Sequence, residues 1–279
     1  MAFVKTHWVP FLRSIFVATG ALWLPLEAYE GLTNSDVNLQ FAHFAGFVVA
    51  LGVTFFLVDG NYLAGYLKRS ITIQSNSFDS KVIVKFGDLF KMNGWKAIGV
   101  NDFFDNVVDE DLVSSNSLHG HVLNAYWKND SKDWQRQIDQ SLRGAKSKKT
   151  QREKGNTRRY PIGTTATAKA NSQRFLFVAL GRTNHMDNVV SASTESLIRA
   201  IRGMLGRARI VCSNEALHIP LMGSGLARVG IKNAILVDLI LAAIFEETKL
   251  SKVTDSITIV LPEEKSSEIN LGAIGRDWR

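Results

Sequence analysis

Ile219-Pro-Leu-Met-Gly-Ser-Gly-Leu-Ala-Arg-Val-Gly230 follows an apolar, strand-like run and opens a long apolar helical pattern. Glycines at 223, 225 and 230 allow positive φ and let the backbone approach an anion with no Cβ in the way. The amides of such a loop, backed by the N-terminus of the next helix, form a cradle for phosphate. An ordinary tight turn is the alternative. The spacing matches neither Gly-x-Gly-x-x-Gly nor Gly-x-x-x-x-Gly-Lys-Ser/Thr, so the dinucleotide and P-loop fingerprints are absent.

The same strand–loop–helix alternation extends outward from this loop. Beyond a polar link at 70–80, residues 81–86 alternate as a strand does and run into Gly87-Asp88-Leu89-Phe90. Residues 97–100 are a short apolar run ahead of a polar loop, and a helical pattern begins at 121–127 and continues toward Leu142. Strands are predicted at 175–180, 216–221 and 256–261, with helices at 194–205 and 231–246. Strands separated by helices imply an α/β/α sandwich on a mostly parallel sheet. Ligands in such sheets bind beyond the carboxyl ends of the strands. The loops at 87–90, 101–120, 161–169 and 222–230 follow or flank those ends.

The first 70 residues have a different character. Residues 39–58 are twenty in a row without a charged side chain, the length of a bilayer core. The stretch 8–26 is nearly as apolar, but holds Arg13, Pro10 and Pro25. An arginine that close to the edge can snorkel to the headgroups. Lys5, Arg13, Lys68 and Arg69 flank the outer ends, while Glu27, Glu30 and Asp36 lie between the spans. The positive-inside rule then predicts a multi-pass cell-membrane protein with both termini and the downstream domain (71–279) cytoplasmic. A signal peptide and a buried soluble hairpin are the competing readings; the first lacks its small-residue cleavage site. Ala42, Gly46 and Ala50 repeat every four residues, a spacing that lets helices pack closely within the hairpin or between subunits.

Charge is concentrated. Residues 143–159 hold eight Lys or Arg against one Glu, which equals the whole formal charge of +7. With few apolar residues this segment reads as a solvated insertion, and anionic lipid headgroups are its favoured partner. Nucleic acid is disfavoured, since no aromatics interleave the charges. The single cysteine, Cys212, permits neither a disulfide framework nor a zinc cluster and reads as a small core residue. His119 and His121 flank Gly120 with no further ligand nearby, so no metal and no cofactor is expected.

Several of these motifs, taken in order, resemble the macrodomain pattern: Gly87-Asp88-Leu89-Phe90, Val100-Asn101, and Pro220-Leu221-Met222-Gly223-Ser224-Gly225-Leu226. The loop 114–120, ending Ser-Leu-His-Gly, and Pro161-Ile-Gly-Thr-Thr-Ala resemble a divergent subgroup. That subgroup, fused behind two N-terminal spans, is similar to the effectors of type II Thoeris antiphage systems.

The resemblance implies a site that binds ADP-ribose or a derivative. Asp88, with Leu89 beside it, is the implied adenine contact; a carboxylate accepts a hydrogen bond from an exocyclic amine. Gly223, Ser224, Gly225 and Leu226 are implied to hold the diphosphate, and Asn101 a ribose. The Asn-Ala-Ala-Asn run of hydrolytic macrodomains is replaced by Asn101-Asp102-Phe103-Phe104-Asp105. Binding without catalysis is therefore expected. The resemblance further implies a histidine–ADP-ribose signal made by a TIR-domain partner, read by Asp102, His119, Thr164 and Thr165. Ligand-induced self-association and damage to the host membrane would follow. The rivals are a membrane-anchored ADP-ribosyl hydrolase using Asp102 or Asp105 as base, and a membrane scaffold that binds no nucleotide.

Overall fold

A computed structural model describes residues 2–74, 79–128, 130–184, 186–225 and 229–278, with side chains from residue 7 onward. The chain divides into two compact units: Met1–Arg69 with Asn270–Asp277, and Ser70–Ile269 with Trp278–Arg279.

The first unit is built on two apolar helices, α1 (Ala2–Thr33) and α2 (Phe41–Val58), the second prolonged by a π-helical turn at Asp59–Leu63. Pro10 and Pro25 lie inside α1 without ending it. The helix runs past the expected limit at residue 26, so Glu27 and Glu30 sit on its last turns. Glu30 accepts from the Val37 amide at 2.9 Å. The helices pack through small side chains: Ser14 and Ala18 of α1 are buried, and Gly52 of α2 meets Ile15. Residues 7–33 and 41–63 are each long and apolar enough to cross a membrane. Only 11% and 17% of their most apolar windows are buried, unlike a soluble core helix.

The second unit begins with β1 (Ser70–Ile73), antiparallel to β2 (Lys81–Phe86). The polar link expected at 70–80 thus starts as an edge strand, with Ile71 and Ile73 buried. Then come β3 (Trp95–Asn101), α3 (Leu118–Tyr126), α4 (Ser131–Ser141), and the short pair β4 (Lys148–Lys149) and β5 (Arg158–Arg159). β6 (Thr165–Ala170), β7 (Gln173–Thr183), β8 (Val190–Ser191), α5 (Thr194–Val211), β9 (Leu217–Pro220), α6 (Asn233–Leu250) and β10 (Ser256–Leu261) follow. A last helix, α7 (Leu271–Asp277), belongs to the first unit.

The main sheet has the order β1-β2-β10-β9-β3-β7-β6, with β8 on β7. The pairs from β2 through β7 are parallel, and β1, β6 and β8 join antiparallel. Alternation along β7 explains the layers. Phe175, Phe177 and Ala179 join Trp127, Trp134 and Ile138 of the α3–α4 side in one apolar cluster. Leu176, Val178 and Leu180 point the other way, where the buried residues Leu197, Ala200 and Met204 of α5 supply the covering face. Each large apolar side chain buried there contributes about 1.5–3 kcal/mol. Cys212 is buried at the end of α5, and burial pushes its thiol up to about 12, so it is an inert core residue.

Candidate ligand cleft

Five strand ends build the cleft, those of β2, β3, β7, β9 and β10. After β2, the Gly87 amide bonds Leu261 O at 2.9 Å, and Asp88 caps a single 3-10 turn by accepting from the Phe90 amide at 2.8 Å. This bond fixes the direction of the Asp88 carboxylate. After β9, Gly223 takes φ 86°, and the Ser224 hydroxyl donates to Leu221 O at 2.7 Å. The Val229 amide closes the loop on Gly223 O at 3.1 Å.

The end of β3 is irregular, with a register shift against β7 between Val100 and Asn101. Asn101 is consumed locally. Its Oδ1 accepts from the amides of Phe103 and Asp105 at 3.3 and 3.1 Å, and its Nδ2 donates to Asp105 at 2.8 Å. Asp102 turns away and is 1% exposed. It accepts from Arg159 Nε at 2.7 Å and from the Thr183 amide at 3.0 Å.

The N-terminus of α3 forms a further wall. Ser117 caps it, donating to Ser114 O at 2.7 Å and accepting from the Gly120 amide at 2.9 Å. A Cβ at residue 120 would collide with Ser114 O, which explains the glycine in Ser-Leu-His-Gly. His119 lies over the aromatic core, its ring 5.6 Å from Trp134 and 6.0 Å from Phe177. Burial holds its pKa down at about 3, so the imidazole is neutral.

The cleft has a volume of about 880 Å³, within the usual range for small-molecule sites. It brings together Asp88, Leu89, Asn101, His119, Gly223, Ser224 and Gly225. Leu226 lies outside the described residues. Asp102, Thr164 and Thr165 do not line the cleft. Thr165 is on β6 with its hydroxyl bonded to Gly163 O at 3.0 Å. The turn before it, which carries Thr164, leans on α5, where Gly163 and Gly203 are in backbone contact.

The 143–159 segment also departs from a wholly solvated loop. β4 and β5 pair antiparallel, and Arg152 is buried against Asp105 at 3.0 Å. Sequence reasoning missed two wall segments, 187–190 after β7 and 262–265 after β10. Both follow carboxyl strand ends, which is the signal that would have found them. Among the described residues, no three His, Cys, Asp or Glu side chains gather to hold a metal ion.

A mixed eight-stranded sheet between helices, with a glycine loop and a Gly-Asp turn facing one cleft, defines the class: this is a macrodomain fold. An Oceanobacillus iheyensis macrodomain variant solved with ADPR is similar in structure, with TM-score 0.50 and 15% identity over 75% of this chain and 95% of that one. The same macrodomain with MES bound gives TM-score 0.50 and 15% identity over 75% and 94%. Residues 82–262 match the family described as "Thoeris protein ThsA, Macro domain", and the chain belongs to that family. It is 21% identical over 189 residues to Thoeris protein ThsA of Bacillus amyloliquefaciens (strain Y2), covering 65% of this chain. The match spans 60% of that relative's length.

Proposed function

We propose that this chain is a membrane-anchored receptor whose cleft takes an ADP-ribose-type nucleotide. One observation carries the reading: the Gly87-Asp88 turn and the 223–225 loop open onto the same cleft, at the ends of strands in one parallel block. A carboxylate at one end suits an adenine amine, and a positive-φ glycine loop suits a diphosphate. The related fold solved with ADPR supports the same ligand class.

Binding rather than turnover is the proposed role. On the loop after β3, Asp102 is paired with Arg159 and Asp105 with Arg152, so neither offers a free general base. We take the signal to be histidine–ADP-ribose from a TIR-domain partner, with self-association and membrane damage as the output. These finer steps follow the kinship with Thoeris ThsA.

Titration calorimetry of the detergent-solubilised chain with ADP-ribose and with histidine–ADP-ribose tests the proposal. The expected result is binding of both, tighter for the conjugate, with the ligand recovered intact. No heat from either compound would remove the receptor reading, and release of free ADP-ribose from the conjugate would replace it with a hydrolase.

A further inference from the structure

Arg152, in the basic hairpin, is outside the cleft yet tied to its wall. Its side chain is 1% exposed, as is that of Asp105. Nη1 donates to the two Asp105 oxygens at 3.0 and 3.2 Å and to Asn156 O at 3.1 Å. Nη2 donates to Asn188 Oδ1 at 2.7 Å. The guanidinium lies 4.1 Å above the Phe103 ring, which fixes its plane.

Asn188 lines the cleft and passes the contact onward: its Nδ2 donates to Asp111 Oδ1 at 3.2 Å, and Asp111 lines the cleft as well. Lys154, two residues along the hairpin, pairs with Asp109 and Asp111 at 2.7 and 3.0 Å. On the other side, Asp105 holds Asn101. One guanidinium therefore bridges the loop after β3 to the segment before β8, and through Asn188 reaches the 109–112 turn. A planar fork with several fixed donors can do this; a point charge on a flexible stem cannot.

We infer that Arg152 is a positioning residue for the cleft: it fixes the Asn188–Asp111 wall that selects the part of the ligand beyond the diphosphate. This rests on the nucleotide reading above, in which Asp88 marks the adenine end and the 223–225 loop the diphosphate, with the ribose that the resemblance implies at Asn101 taken as the one beyond the diphosphate. The competing view is a buried ion pair that serves folding alone.

Arg152→Lys separates the two, because it keeps a cation for Asp105 but gives up the reach to Asn188. The full chain in detergent is titrated with ADP-ribose and with ADP, at a temperature where circular dichroism shows both proteins folded. ADP-ribose affinity should fall about tenfold while ADP stays within about twofold, since only the former extends past the diphosphate. Asn188→Gly tolerates the left-handed φ of 56° at that position and leaves the Arg152–Asp105 pair intact. It should lower the same ratio, and it carries the test alone if Arg152→Lys does not fold. An unchanged ADP-ribose to ADP ratio in the folded variants overturns the inference. If the wild-type chain binds neither compound, the nucleotide reading fails, and hydrogen exchange decides the positioning role separately. Faster exchange at 109–113 and 186–190 in either variant supports it; unchanged exchange overturns it.

Discussion

His119 combines a titratable ring with an aromatic cage. The side chain is 4% exposed, and its Nε2 finds no hydrogen-bond partner among the described residues. Burial lowers its pKa from 6.5 to about 3, so the unfolded chain takes up a proton first as pH falls. The stability this neutral ring contributes is complete above pH 6.5 and declines through the window from 6.5 to about 3. The slope is about 1.4 kcal/mol per pH unit. Between pH 7 and pH 5 the wild type should lose about 2 kcal/mol more than His119→Phe in urea unfolding. Equal losses would show that the ring protonates without disturbing the core. That Asp88, Gly223 and Gly225 stand at the mouth of one cleft was legible one residue at a time, because short polar or glycine residues at strand ends have few other uses. Asp102 was not. Its partner Arg159 lies 57 residues later, and nothing in a linear pattern announces that the charge is already neutralised.

Among the elements, the glycine loop allows two kinds of failure to be told apart. Gly223 has φ 86°, and a Cβ there would lie 2.8 Å from Val229 Cγ2. Gly223→Ala is strained whatever the space, at a cost of order 1–3 kcal/mol. Gly225 has no atom of a described residue, its chain neighbours aside, within 4 Å of where a Cβ would stand. Gly225→Ala should therefore leave the thermal midpoint unchanged, so any loss of ADP-ribose binding would report the ligand's own approach to the backbone. The expected pattern is a lowered midpoint and weakened binding for Gly223→Ala, and weakened binding alone for Gly225→Ala. Unchanged ADP-ribose affinity in both, measured beside their melting curves, would mean the loop is only a turn. Strands such as β7 were legible because six consecutive apolar residues, 175–180, have no other home. β6 was not, since Thr-Ala-Thr-Ala-Lys-Ala is weakly apolar and finds its place only by pairing with β7. The hairpin of β4 and β5 was hidden by its charge, which masked the inward-facing Arg152 and Arg159.

At the scale of the whole molecule, the chain returns at its end to the helical unit where it began. Arg276 donates to the carbonyls of Leu63 and Ala64 at 2.7 and 3.2 Å, and Asn270 donates to Ala64 O at 3.3 Å. Gly65 and Gly272 approach so closely that neither has room for a Cβ. Two sequence segments about two hundred residues apart thus complete one unit, which no local pattern could show. Within it, Ala42, Gly46 and Ala50 of α2 are exposed, and among the described residues nothing lies within 4 Å of a Cβ position at Gly46. The packing of α1 on α2 uses Ser14, Ala18 and Gly52 instead. The small-residue stripe is therefore not used in packing α1 on α2, and on the proposed receptor reading it is the surface against which another copy would pack in lipid. A nucleotide can drive such assembly only by binding the assembled state more tightly than the separate one. Dye-loaded liposomes carrying the chain should then leak when histidine–ADP-ribose is added and stay sealed without it. Gly46→Leu should bind the nucleotide as the wild type does, yet release little dye, because the close approach between copies is blocked. Full leakage from Gly46→Leu would rule out the stripe as the assembly surface, and no ligand-dependent leakage from a wild type that binds would separate the receptor from any membrane output.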